Sequence, residues 1–339
     1  MPANREEVSM KHLLCVYRGD ALARYGFGHG HPFGPDRLDA FFNEFQQQHL
    51  GNNPAIVLCD PCTATQKEIE SFHDHVYVEK VKELSDLGLG FLDYGDTPAC
   101  KGIYEAAATV VGTVLDGIKR IMTQQCDKVF VPIAGLHHAR RGSAAGFCVF
   151  NDCGVAIETL RRQYGVRKIA YVDIDAHHGD GVFYSFENDP DVCFVDFHED
   201  GHYLYPGTGF AEETGEGQAK GTKLNINMPP DSGDEFFLKK WREAEKFIAS
   251  RKPEFILFQC GADSIAGDPI THLRYTPKSH AHAAERLCYL ANKYAKGRLL
   301  VMGGGGYNRD GLARAWCAVV DKMANYATQR TRKKALPVI

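Results

Sequence analysis

The hydrophobic pattern of this chain alternates between two periods. Short runs of β-branched, aromatic and aliphatic residues recur at 12–17 (HLLCVY), 55–59 (AIVLC), 128–133 (KVFVPI), 168–174 (KIAYVDI), 192–197 (VCFVDF), 255–260 (FILFQC) and 298–303 (RLLVMG). Nearly continuous apolar runs of this length predict strands buried on both faces. Between most of them lie stretches with apolar residues three and four apart, most clearly 100–122 and 234–250, which predict helices. Strands alternating with helices predict an α/β fold: a mostly parallel central sheet with helices on both faces. No Pro/Gly/Ser-rich linker, repeat or low-complexity tract divides residues 1–339, so one domain is expected. Its core runs from about 12 to 325, and the basic segment at about 328–339 reads as a solvated tail.

In open parallel sheets ligands bind at the carboxyl ends of the strands, and the polar clusters of this chain follow strands. The first, YVDIDAHHGDGV at 171–182, puts three aspartates and two histidines where a buried strand is ending. Alternate residues of a strand share a face, so Asp173, Asp175 and His177 emerge together, with Asp180 in the turn beyond. Close carboxylates in a low-dielectric site resist ionisation unless a cation accompanies them. Carboxylate oxygens with an imidazole suit Zn²⁺ or Fe²⁺ better than Mg²⁺ or Ca²⁺, and a catalytic zinc takes three protein ligands. Asp175 and His177 are two candidates. CGADSIAGDPITHL at 260–273 offers Asp263 and Asp268 for the third, and spacing alone leaves that choice open.

Two more clusters follow strands. AGLHHARRGSAAGFCVFND at 134–152 carries adjacent histidines, His137 and His138, which could divide acid and base work while buried aspartates set their tautomers. VMGGGGYNRDG at 301–311 has four glycines but lacks the Lys-Ser/Thr of a P-loop. Its glycines would instead let backbone approach a buried site and present Tyr307, whose hydroxyl can donate to a developing oxyanion.

Composition narrows the class. The net charge of −4 gives no global positive field, so neither nucleic acid nor an anionic membrane is expected as a partner. No run approaches a membrane span and the first residues carry no secretory h-region, so a cytoplasmic location is expected. Eleven scattered cysteines read as reduced thiols, neither a disulfide framework nor a thiolate zinc site. A homo-oligomer is compatible with all of this.

Taken together and in this order, HHA, GFCVFND, VDIDAHHGDGV, FHEDGHYLYPGTG, CGADSIAGDP and GGGGY strongly resemble the histone deacetylase superfamily, which includes bacterial acetoin-utilisation proteins, acetylpolyamine amidohydrolases and class II-like bacterial deacetylases. The resemblance spans about 28–316 and is nearest in wording to the acetoin-utilisation branch. It implies a single-domain arginase-deacetylase fold with its active site at the carboxyl ends of the strands. It implies one zinc per chain, or Fe²⁺, on Asp175, His177 and Asp268, which leaves Asp263 as a structural loop residue. A K⁺ ion is implied beside Asp173, Asp175 and His177.

The resemblance also implies a reaction: hydrolysis of an N-acetyl amide to a free amine and acetate. His138, backed by Asp180, would act as base and then acid; His137, backed by Asp173, would assist electrostatically; Tyr307 would hold the oxyanion. Gly146, Phe147 and Tyr205 would line a narrow acyl tunnel, with Gly305 also contacting substrate. Asp96 would grip the substrate at the rim, and Arg37 would line the route by which acetate leaves. The implied partner is an acetylated lysine side chain or a small acetylated amine. Two departures stand out: Asp196 replaces a serine common near the potassium site, and Leu136 replaces an aromatic before the histidine pair. His272, Arg274 and Tyr275 are expected near the tunnel mouth, where a basic group would disfavour a cationic polyamine and favour acetyl-lysine. The alternatives are an acetylpolyamine amidohydrolase and a catalytically silent acyl-lysine binder.

Overall fold

The structure, a computed structural model, describes residues 13–28 and 30–334, with side chains described as far as 326. His12 of the first apolar run, His29 of the 28–38 motif and the last five residues of the basic segment lie outside the described residues. Up to Lys334 that segment continues the helix Arg309–Lys334, so its first part is helical backbone and not an irregular tail.

All seven apolar runs form strands: β1 (Leu14–Tyr17), β2 (Ile56–Cys59), β3 (Lys128–Val131), β4 (Ile169–Asp173), β5 (Val192–Glu199), β7 (Phe255–Gln259) and β8 (Leu299–Met302). An eighth, β6 (Lys223–Met228), escaped the pattern. It reads KLNINM and sits at the sheet edge beside β5, where the polar alternation of a half-covered strand replaces a continuous apolar run. The sheet order is β2-β1-β3-β8-β7-β4-β5-β6, and every pairing is parallel. Parallel strands require crossovers, and the predicted helices supply two of them as Ile103–Met122 and Asp234–Arg251. Every residue of β3, β4, β5, β7 and β8 is buried, as expected for strands covered on both faces.

Sheet order explains why distant motifs meet. The five strands that precede polar clusters, β3, β8, β7, β4 and β5, are consecutive neighbours in the sheet. Register adds precision: Asp173 at the end of β4 pairs with Asp196 of β5 on one side and Gln259 of β7 on the other. Among the described residues no helix is long and apolar enough to cross a membrane. Cys59 and Cys62 stand in CxxC spacing, yet their environments part: Cys59 is buried against Cys15 and Cys62 is exposed. All eleven cysteines are unpaired, and none joins a metal-capable group among the described residues.

Candidate active site

The end of β4 is fixed by its own aspartates. Asp173 accepts the Asp175 amide at 3.0 Å through Oδ1, while its Oδ2 takes the Tyr171 hydroxyl at 2.5 Å and lies 2.8 Å from His137 Nδ1. Asp175 turns Oδ2 to the Gly305 amide and the Gln259 side-chain amide, both at 2.9 Å, and Oδ1 to His177 Nδ1 at 3.1 Å. Gly305 must be glycine for this approach, because a Cβ there would run into the carboxylates of Asp263 and Asp175. The glycine run therefore brings backbone to a carboxylate, and no phosphate cradle is needed to account for it.

The loop after β3 is held just as tightly. Asp152 accepts the amides of Gly135 and Leu136, each at 2.8 Å. Asn151 caps the helix Asp152–Tyr164 through Gly154, and its side-chain amide donates to the carbonyls of His137 and Ala139. His137 and His138 are both buried, with Nε2 atoms 3.1 Å apart, and His138 Nδ1 lies 2.7 Å from Asp180. Their protonation diverges. Burial works against a charge on His137, but Asp173 and Asp175 overcome it and raise its pKa to about 10. Burial and repulsion from His137 together lower His138 to about 4 despite Asp180. A 3.1 Å contact between two ring nitrogens needs a proton on one and a lone pair on the other. The carboxylates around His137 favour the proton there, which suits His138 to the acceptor side.

Two acidic residues of the 260–273 loop reach His177 differently. Asp263 is fully enclosed, accepting the Ala176 amide at 2.8 Å and placing Oδ2 3.2 Å from His177 Nδ1. Asp175, His177 and Asp263 bring one donor atom each within 4.8 Å of one another. Asp268 is outside that tight group. It is 8% exposed, accepts the Tyr307 amide at 2.8 Å and the Ile270 amide at 3.1 Å, and acts electrostatically on His177. The donor set fits a divalent cation: burial opposes a charge on His177, yet Asp175 and Asp263 raise its pKa to about 10, so these carboxylates already recruit positive charge. Tyr307 lies beside them, its pKa pushed well above the ordinary value by burial and by Asp263 and Asp175, which keeps its hydroxyl a donor.

Aromatic rings lead outward from this floor. Phe147 meets the Tyr307 ring edge-on at 5.8 Å, and Tyr205 meets His138 at 5.2 Å and His177 at 6.4 Å. Between them Gly146, at φ +52°, leaves no room for a side chain: a Cβ would sit 2.5 Å from the His138 ring. Asp96 is exposed on a loop whose next residue, Thr97, accepts the Phe147 amide at 3.1 Å. Behind Tyr307, Arg37 is fully buried and stacked on Phe33 with its guanidinium 4.0 Å from the ring centroid. It donates to the carbonyls of Gly306 and Gly304, while Nη1 has no partner among the described residues.

Residues 31–323 match the family model for the histone deacetylase domain, which is most of the chain. The chain belongs to the histone deacetylase family. It is 35% identical over 322 residues to the acetoin utilization protein AcuC of Bacillus subtilis (strain 168), covering 91% of this chain and 81% of that protein. A protein of Archaeoglobus fulgidus named "Probable deacetylase" is 33% identical over 283 residues, covering 83% and 77% respectively. The crystal structure of the HDA15 HD domain superposes with a TM-score of 0.83 at 25% identity, covering 93% of this chain and 90% of that one. The parallel eight-stranded sheet is accordingly the arginase-deacetylase fold.

In this histone deacetylase family member the structure corrects the expected mouth. Tyr275 is fully buried against Phe237 and reaches no opening. Arg274 is ion-paired with Asp231 at 2.5 Å, and His272 Nδ1 lies 2.6 Å from the buried Glu199. Arg274 is not free to repel a polyamine and the His272 ring is engaged by Glu199, so the charge argument for acetyl-lysine falls away. Sequence reasoning also missed supporting residues. Gln259 binds Asp175, the Gly135 carbonyl and the Gly261 amide, and its signal was a polar residue ending an apolar run. Asp93 accepts the amides of Gly95, Asp96 and Thr97 and so shapes the Asp96 loop, a pattern with no signature beyond an Asp-Gly turn.

Proposed function

We propose that this deacetylase-family chain is a metal-dependent amidohydrolase that removes acetyl groups from lysine side chains of proteins or peptides. The observation that carries the reading is the histidine pair: two touching imidazoles, each on its own aspartate, beside a carboxylate–imidazole donor set. Asp175, His177 and Asp268 would hold one Zn²⁺ or Fe²⁺. Asp268 is preferred to Asp263 because a catalytic ion needs an open position, and Asp268 keeps 8% exposure while Asp263 has none. When bound, the ion supplies Lewis acidity toward an amide carbonyl and acidifies a water molecule.

The chain's own groups do the rest. With Nδ1 committed to Asp180, His138 would accept the proton of the attacking water at Nε2, which must exchange its 3.1 Å contact with His137 Nε2 for the water, and would return it to the leaving nitrogen. His137 places a positive charge alongside, and Tyr307 donates its hydroxyl to the oxyanion. Phe147 and Tyr205 flank the acyl stem, and Gly146 keeps the passage narrow. The Gly305 backbone forms part of the floor, Asp96 grips the substrate at the rim, and Arg37 offers its free Nη1 to the acetate carboxylate. A structural K⁺ would sit beside Asp173, Asp175 and His177 with neighbouring carbonyls, next to Asp196, whose oxygens accept from Gly179 N–H and meet His198 Nδ1.

A second reading, an acetylpolyamine amidohydrolase, gains from the mouth. Burial and the neighbouring Asp93 raise Asp96 to about 6, the sign of crowded negative charge that a second amine would relieve. The deciding experiment is metal-free protein reconstituted with Zn²⁺ or Fe²⁺ and given an acetyl-lysine peptide or N-acetylputrescine. Faster acetate release from the peptide supports the first reading, and faster release from the polyamine replaces it. Binding of the peptide with no acetate release would make the chain a silent acyl-lysine binder.

A further inference from the structure

Of the aspartates and histidines in 171–182, His178 is the one that the reaction does not use, although it is buried. It points away from the site that its neighbour His177 enters. Its ring packs among Phe183, Phe194 and His198, at 5.2, 6.0 and 4.8 Å between centroids, and its Nε2 has no partner among the described residues. Its single polar contact is Nδ1 to Thr208 Oγ1 at 2.9 Å. Thr208 is three residues beyond Tyr205, in the segment that leaves β5. One residue further on, the Gly209 carbonyl lies 2.8 Å from His198 Nε2 and accepts the Asn227 side-chain amide at 2.9 Å. Gly209 has φ +83°, and a Cβ there would sit 2.6 Å from both the His178 and His198 rings.

We propose that His178 is a positioning residue for substrate: through Thr208, and beside the His198–Gly209 contact, it fixes the Tyr205 wall of the acyl tunnel relative to His177. The two consecutive histidines then serve one passage from opposite sides, His177 at its floor and His178 behind its wall. The segment 200–210 has no regular strand or helix of its own, so these side-chain contacts act with its turn bonds, Leu204 N–H to Asp200 and Gly207 N–H to Leu204, in setting where Tyr205 stands. This assignment rests on the tunnel reading of Tyr205 given above. It predicts an effect on substrate binding and not on proton transfer, because neither His178 nor Thr208 touches His138.

The test uses full-length protein carrying 3-fluorotyrosine, with the Tyr205 ¹⁹F resonance assigned by Tyr205→Phe. Thr208→Val removes the hydroxyl at constant shape, and Thr208→Ser restores it. Thr208→Val is expected to shift or broaden the Tyr205 signal and to raise KM for an acetyl-lysine peptide about fivefold, the factor worth ~1 kcal/mol for one hydrogen bond. Its kcat should stay within about twofold, and Thr208→Ser should return both readouts to wild type. His178→Phe, which keeps the ring and loses Nδ1, should match Thr208→Val and guards against a fold defect in either variant. An unchanged Tyr205 signal and KM in Thr208→Val, or a fall in kcat alone, overturns the assignment. Wild-type protein that releases no acetate from any substrate would refute the deacetylase reading, while the fluorine signal would still judge the clamp.

Discussion

The floor of this site and its mouth are built by different means. At the floor the carboxylates are buried and most are tied to backbone amides, Asp152 to Gly135 and Leu136, Asp175 to Gly305, Asp263 to Ala176 and Asp268 to Tyr307, while Asp180 is held by the His138 and Arg140 side chains. At the mouth side chains answer to one another: exposed Arg274 pairs with exposed Asp231, and the exposed His272 ring meets the buried Glu199 carboxylate. Backbone amides at strand ends cannot move without disturbing the sheet, whereas exposed ion pairs are weak and solvent-screened. The contrast assigns the chemistry to the rigid part and the choice of substrate to the adjustable part. Substitutions at the two places should therefore differ in size by orders of magnitude.

The largest effects belong to His138→Ala and Tyr307→Phe. Each should lower kcat by on the order of 10² or more while bound metal stays at one per chain by elemental analysis. Turnover like that of the wild type in either variant would remove its role. The two aspartates of the 260–273 loop come next and are read by metal content independently of activity. Asp268→Ala should lose the ion, and Asp263→Asn should retain it with affinity lowered about 10- to 100-fold, as for a residue that orients a ligand. The reverse outcome would transfer the ligand role to Asp263, the member of the tightest donor group.

This division also accounts for what could be read from the sequence. Asp173, Asp175 and His177 were legible because a strand's two-residue period puts them on one face and their charges are conspicuous in an apolar run. Gln259 has no charge to betray it, and its role depends on the register of β7 against β4, which no local pattern encodes. Arg274 looked like a free cation because its partner Asp231 is 43 residues away. Tyr275 looked like a mouth residue because it adjoins Arg274, but alternate residues of an extended segment face opposite ways and this one faces the core. The choice between Asp263 and Asp268 turns on which one keeps exposure, a three-dimensional fact.

A smaller effect should appear in the pH dependence of kcat/KM. The base role proposed for His138 needs its neutral form, and burial and His137 lower its pKa to about 4, so that form is present above that pH. Activity should fall about tenfold per unit as pH drops below it. The electrostatic role proposed for His137 needs its charged form; burial opposes that charge, but Asp173 and Asp175 raise its pKa to about 10, so the charge is lost as pH rises through that value. A plateau between the two limbs is expected, measured with one substrate at fixed ionic strength. An acid limb near the ordinary histidine value of about 6.5 would mean that the pair does not hold its protons in the order assigned here.

The smallest effects are expected at the mouth, and they test whether its charges act on substrate at all. Asp96 carries negative charge with no ion pair among the described residues, so Asp96→Asn should raise KM for N-acetylputrescine by about threefold to fivefold, the worth of ~1 kcal/mol at an exposed site. Arg274 is 66% exposed in its side chain and so is its partner Asp231, so the pair presents almost no net field to a ligand. Arg274→Ala should then change the ratio of kcat/KM between an acetyl-lysine peptide and N-acetylputrescine by less than about twofold. A larger shift toward the polyamine would show that Arg274 leaves Asp231 when substrate arrives and that the basic mouth expected from the sequence operates in turnover. In that case the adjustable part of the site would select substrate by a charge that the ground-state ion pair conceals.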